Sequence, residues 1–276
     1  AIVERGTFEL GTTHLRYTLG VDFALNPELE IYSDRPPGTA LVLVPFYGVG
    51  ILVTRLMDPD RFDVENTLRF FAATGILFFA LLNVALVYWA GRLLKASKIE
   101  SALGALIFGA TGLAFKYSML MFSHTPGVTT TLLGVCFILA PLPELPAKRN
   151  LFLFSAGLAM GYAVVIEYQN VIFSAVFFIA WLIRLTREGH LPRIMYVIAG
   201  GAIPAIGLAT YHKLIFGSIL ISTHAFNPMM THNQKLGAIF GGSFLKGLYD
   251  IFVARDKGVI ALVPIFLFGS LWLWLS

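Results

Sequence analysis

Of the 276 residues, 57% are hydrophobic and only 13% are charged, and the mean hydropathy is +0.76. Soluble domains carry about 25% charged residues, so this composition excludes a water-covered globular surface and implies an integral membrane protein with several transmembrane helices. The net charge of +4 reads as the Lys/Arg excess of membrane-protein loops, and no nucleic-acid partner is expected.

The expected fold is all-α: a polytopic bundle of about seven spanning helices, since a span needs about 20 mostly apolar residues, plus one interfacial helix. In chain order, 1–66 form a first outer loop. Within it, 39–57 is apolar but holds Pro45, Gly48 and Gly50 and runs into Arg55 and an acidic cluster. It is expected to lie along the interface, not to cross. The spans follow at 68–91, 101–117, 126–142, 151–167, 170–184 and 194–215; 216–257 is a second long outer loop, and 258–276 is the last span. Bundle and connections from 67 to 215 make one unit. Cys136 lies alone in an apolar run, so the chain holds no internal disulfide or cysteine metal site. Ala1 is followed by no leader-like apolar segment, and Ser276 directly follows an apolar run. The chain therefore reads as a piece of a longer protein.

Orientation follows from the short connections. Arg92, Lys95 and Lys98, then Lys148 and Arg149, then Arg184, Arg187 and Arg193 mark alternate loops, whereas 118–125 and 168–169 carry no Lys or Arg. The basic loops are expected on the cytoplasmic side. Of the 16 acidic residues, only Glu100, Glu144 and Glu188 accompany them. The polar chemistry is thereby gathered on the extracytoplasmic face of a cytoplasmic (inner) membrane, or of an endoplasmic-reticulum membrane in a eukaryote.

Four stretches on that face carry candidate chemistry. In Tyr32-Ser33-Asp34-Arg35-Pro36-Pro37-Gly38, the prolines hold Arg35 extended and Gly38 lets the chain turn. A carboxylate and a guanidinium on a stiff turn suit a polar lipid head group, and equally suit a plain helix entry. His124, in Phe122-Ser123-His124-Thr125-Pro126-Gly127, is either a phosphate ligand or part of an interfacial turn with a helix-starting proline. Glu167, between two apolar spans, is either functional or a solvated turn residue. Arg255 and Lys257, just before the last span, either hold a lipid phosphate or snorkel to the interface. His212, His224 and His232 match no compact metal motif and read as incidental. There is no Walker loop, dinucleotide fingerprint, HExxH or GxSxG, and the residues give a divalent metal no support.

Taken in order, IYSDRPPGTALVLVPFYGVG, YSMLMFSHTPG, GYAVVIEYQNVIFSAVFF, YHKLIFGSILISTHAF and GLYDIFVARDKGVIALVPIF resemble membrane glycosyltransferases of the GT-C superfamily, in the protein-mannosyltransferase and aminoarabinose-transferase-like branch. That branch is similar in its Lys/Arg-Pro-Pro turn and in a Phe-Gly-Ser step, here Phe216-Gly217-Ser218. The resemblance implies inverting transfer of a sugar from a polyprenyl-phosphate carrier to a glycan, lipid or protein acceptor, with no cofactor. It further implies catalytic roles for Asp34 (positioning) and Glu167, and substrate binding by Tyr32, Arg35, His124, Arg255 and Lys257. The family's acid follows its first helix, which is absent here, so the base is expected upstream of Ala1. Membrane lipids and further subunits are the other expected partners. An inactive GT-C-like subunit and a lipid-linked-sugar transporter are the alternatives. Asp34, Arg35, His124, Glu167 and Arg255 are expected to converge on one outer cavity. Arg255→Ala is expected to cut turnover by more than about tenfold, or ~1.4 kcal/mol.

Overall fold

The computed structural model describes residues 2–10, 23–57, 63–110, 112–219, 223–228, 246–247, 249–250 and 253. α1 (Ile2–Arg5) is a single turn. It is followed by a small antiparallel hairpin of β1 (Phe23–Leu25) and β2 (Ile31–Ser33), in register Ala24 to Tyr32. Asn26 closes the hairpin: its Oδ1 accepts the Glu30 backbone N–H at 2.8 Å, and Leu29 takes the left-handed conformation at φ 63°. This hairpin is the one addition to the expected all-α fold.

The helices are α2 (Gly38–Leu56), α3 (Val64–Leu93), α4 (Lys98–Ala110), α5 (Gly112–Ser118), α6 (His124–Leu139), α7 (Pro146–Ile166), α8 (Val171–Arg187) and α9 (Ile194–Phe216). Local chemistry sets several boundaries. Asp63 caps α3 by accepting the Asn66 N–H at 3.1 Å. Pro146 opens α7, where a missing N–H costs nothing. Gly217, at φ 72°, ends α9 in the left-handed conformation that glycine takes freely.

Five helical stretches among the described residues are long and apolar enough to cross a membrane: Gly38–Leu56, Val64–Leu93, Pro146–Ile166, Tyr168–Arg187 and Leu191–Phe216. The protein is therefore a membrane-embedded helical protein. This is a different set from the seven expected spans. The segment 39–57 is an unbroken helix of 19 residues that passes through Pro45, and by length and composition it can cross. Proline costs a helix one hydrogen bond and bends it but need not end it when neighbouring helices support it. The segment 101–117 is broken instead into α4 and α5, of 13 and 7 residues. α6 has only 16 residues. The expected span 258–276 lies outside the described residues.

Packing fixes the helix directions. α7 and α9 run parallel at very short range: a Cβ on Gly157 would sit 2.0 Å from the Val197 carbonyl oxygen, and one on Gly200 would sit 2.0 Å from that of Phe154. Small residues are what permit such backbone contact between membrane helices. α3 runs antiparallel to α4, with Gly91 against Ser101 and Gly109 against Val84. Trp181 and Leu185 of α8 close a buried core with Leu153, Ala156, Met160 and Val197.

The bundle thus has two unlike ends. At one end, Arg184 donates to the Ile138 and Ala140 carbonyls at 2.6 and 2.8 Å, filling acceptors that the end of α6 leaves open. Arg149 meets His190 there, and Arg193 meets Asn150. At the other end, Asn83 of α3 donates to the Thr125 carbonyl at 3.0 Å, and Gly38 begins α2 directly on the backbone of Val165 and Ile166. From there α2 follows the part of α3 that precedes Asn83: Leu43 and Phe46 pack on Gly75, and Gly50 packs on Leu68 and Phe71.

Candidate functional site

Three elements build a cavity of about 690 Å³ at the end opposite the Arg184 cluster. The turn after β2 supplies Arg35 and Pro37, the connection into α6 supplies Ser123 and His124, and α3 supplies Arg69. The hairpin positions the first of these. Ala24 and Tyr32 pack with Tyr211 and Phe216 at the end of α9, which presses the Asp34-Arg35 turn onto the bundle. Gly38 is needed at the end of that turn because a Cβ there would lie 2.4 Å from the Val165 carbonyl oxygen.

The central contact is an ion pair. His124 Nδ1 lies 2.5 Å from Glu167 Oε1, and the Ser123 hydroxyl donates to the same oxygen at 2.7 Å. Gly127 lets the first turn of α6 come this close, since its Cβ would stand 3.3 Å from Glu167 Oε2. Burial pushes the Glu167 carboxyl up, but the His124 and Ser123 hydrogen bonds and the His124 and Arg35 charges outweigh it and hold the group below its ordinary range. The bond to Glu167 raises His124 above its ordinary value against the opposing effects of burial and Arg35. The Tyr117 ring stands edge-on to the imidazole at 4.6 Å. Arg69 pairs with Glu65 one turn before it. The cavity wall is thus mostly cationic, and Glu167 is ionised at neutral pH.

Behind the cavity lies a buried polar network. The Asp34 side chain is fully buried; its Oδ2 accepts the Asn227 amide at 2.9 Å, and its Oδ1 lies 3.6 Å from Arg35 Nε. The Thr223 hydroxyl donates to the Asp34 carbonyl. The Tyr168 hydroxyl lies 2.7 Å from His212 Nε2 and 3.2 Å from Thr223 Oγ1. The short 3-10 turn Thr223–Phe226 is thereby tied to the Asp34 turn.

Of the residues expected to converge, Arg35 and His124 line the cavity, and Glu167 stands directly behind His124. Asp34 is adjacent in sequence, but its carboxylate turns inward to Asn227. Tyr32 does not reach the cavity. It is buried against the α9 end, and its hydroxyl donates to Glu30 at 3.0 Å; burial and Glu30 push it up to about 12. Arg255 and Lys257 lie outside the described residues. His212, expected to be an incidental loop histidine, is buried in the last turns of α9 and joined to Tyr168. Arg69, Ser123 and Asn227 were not anticipated. Arg69 had a legible signal, a cation four residues after Glu65 at the outer start of a long apolar run. Asn227 had none, because 193 residues separate it from Asp34.

No group of three or more His, Cys, Asp or Glu that could hold a metal ion occurs among the described residues. Compared with known protein families, with curated proteins and with solved structures, the chain matches none.

Proposed function

We propose that the protein is a membrane glycosyltransferase of GT-C type, which moves a sugar from a polyprenyl-phosphate carrier to an acceptor at the extracytoplasmic face. The observation that supports this reading is the meeting of Arg35, His124 and Glu167 at one cavity, although they come from distant parts of the chain. In this reading Arg35 and protonated His124 hold the lipid phosphate, with Arg69 at the same wall. A guanidinium offers a planar fork of donors to phosphate oxygens, and fixed cations favour the negative charge that builds on a departing phosphate. The acceptor hydroxyl attacks the anomeric carbon, and the bond to phosphate breaks with its electron pair. Glu167, ionised and beside the cavity, is the described carboxylate placed to take the acceptor proton. Asp34, inside the protein, positions Arg35.

The spanning scheme belongs to the same reading. α4 and α5 together make one broken crossing: Gly91 meets Ser101 at one end, and the Tyr117 carbonyl accepts from Thr125 Oγ1 at the other. α2, which meets α7 at its first turn and then follows the overhanging part of α3, lies in the outer interface. The basic loops then face the cytoplasm, and the cavity faces outward.

Purified protein in nanodiscs, given a radiolabelled polyprenyl-phosphate sugar and a membrane extract as acceptor, tests this reading. We expect sugar release from the carrier to fall by more than about tenfold in Arg35→Ala, a loss above ~1.4 kcal/mol, with partial recovery in Arg35→Lys. Wild-type protein that never consumes the carrier, while Arg35→Ala still binds it equally well, would leave the inactive-subunit reading in its place.

A further inference from the structure

We infer that the acceptor is itself an anionic lipid, so that two chain-bearing substrates meet head to head in the Arg35–His124 cavity; this rests on the glycosyltransferase reading. The cavity is flanked by two separate apolar grooves that share its walls from different sides. The first, of about 640 Å³, lies among α3, α4, α5 and α6 and shares Tyr117 and His124 with the cavity. The second, of about 910 Å³, lies among α6, α7 and α9 and shares Phe8, Pro37 and Tyr211 with it.

The grooves match hydrocarbon and not water. Leu81, Leu106 and Phe115 line the first, and all three are exposed at the helix surface. Leu158, Ile203 and Leu214 line the second and are exposed likewise. In a membrane-embedded bundle such side chains face acyl chains, so each groove opens sideways to the bilayer and inward to a polar chamber. One lipid-linked donor accounts for one groove. A water-soluble glycan or peptide acceptor has no use for the other, because it would enter from the aqueous side and need polar walls. A second lipid uses it fully.

Charge selects the head group. Arg35, Arg69 and His124 face a chamber whose nearest carboxylates, Glu65 and Glu167, are each engaged with one of those cations. Two phosphate-bearing heads suit that wall better than one, since unlike charges attract strongly where water is scarce. The sugar would then pass from one head to the other across the chamber, with neither lipid leaving the bilayer.

Photolabelling of wild-type protein in phosphatidylcholine nanodiscs tests this. The probes are a polyprenyl phosphate and a phosphatidic acid, each with a diazirine on its chain. We expect them to label different grooves, read as modified peptides containing Val128 for the first groove and Gly207 for the second. Excess unlabelled polyprenyl phosphate should remove its own label more than tenfold and leave the other. Gly207→Trp fills a position where a Cβ meets nothing within 4 Å, and should remove label from its own groove alone; Val128→Trp should do the same on the other side. The inference is overturned if both probes label one groove and displace each other, or if no competitor displaces either label, which is the behaviour of bilayer lipid. Non-competing labels without any sugar transfer would overturn the transferase reading and leave two lipid sites. Transfer to a deacylated, water-soluble acceptor as fast as to its lipid form would do the reverse.

Discussion

Replacing Glu167 by Gln keeps the shape of the residue behind the cavity and removes its charge. In the wild type that charge accepts from His124 at 2.5 Å and from Ser123 at 2.7 Å. A hydrogen bond between charged partners contributes about 1.5–3 kcal/mol when shielded. His124 is 44% exposed, so solvent screening lowers the expected value to about 1 kcal/mol. The sign depends on pH. His124 is raised above 6.5, so its contribution is complete below that value and disappears as pH rises through the raised pKa. Glu167 is lowered below 4.5, so its contribution is complete above that value and disappears as pH falls through the lowered one. The pair therefore stabilises the fold most between these limits, around pH 5.5. Thermal unfolding of wild type and Glu167→Gln in nanodiscs from pH 4 to 9 measures this. The gap in Tm should peak near pH 5.5, at about 2–4 °C for 1 kcal/mol in a chain of this size, and should narrow towards pH 9. A gap that stays constant across the whole range would refute the ion-pair reasoning and reduce Glu167 to a packing residue.

Gly157→Leu should be among the most destabilising single changes, by more than about 3 kcal/mol, because the first added carbon meets the Val197 carbonyl oxygen at 2.0 Å and backbone must move; loss of monodisperse protein in size-exclusion chromatography would report it. Arg184→Met keeps the stem beside Trp181 but leaves the Ile138 and Ala140 carbonyls without this donor. It should cost about 1–3 kcal/mol, and an unchanged Tm would show that those carbonyls find other partners. Asn227→Leu removes the amide that donates to the buried Asp34 carboxylate. A measurable loss of stability together with faster proteolysis after Phe216 is expected, and intact protease resistance would show that the Asp34 turn does not hold the Thr223–Phe226 segment.

The helical membrane character was legible in the sequence because it is a matter of composition and run length. Most helix boundaries fell within a few residues of the apolar segments, since Asp63, Pro146 and Gly217 act locally. Arg35, His124 and Glu167 were legible as candidates for a related reason: polar residues at the ends of apolar runs are few, and each stands out. The break inside 101–117 and the continuity through Pro45 were not legible. Hydropathy averages over a window and cannot tell whether a helix bends, stops or carries on where its neighbours supply support.

What the sequence by itself determined is that the chain must live in lipid, with its cations clustered in alternate connections and its acids gathered elsewhere, because charge and hydropathy are sums over residues. Only the tertiary structure decided which of the singled-out residues share a cavity. It set His124 on Glu167 across 43 residues of chain, turned Asp34 inward to Asn227, drew His212 into a buried bond with Tyr168, and left Tyr32 among the rings at the end of α9. Such pairings depend on the approach of whole helices. That approach is set by backbone contacts at Gly38, Gly157 and Gly200, where the informative feature is a side chain that is not there.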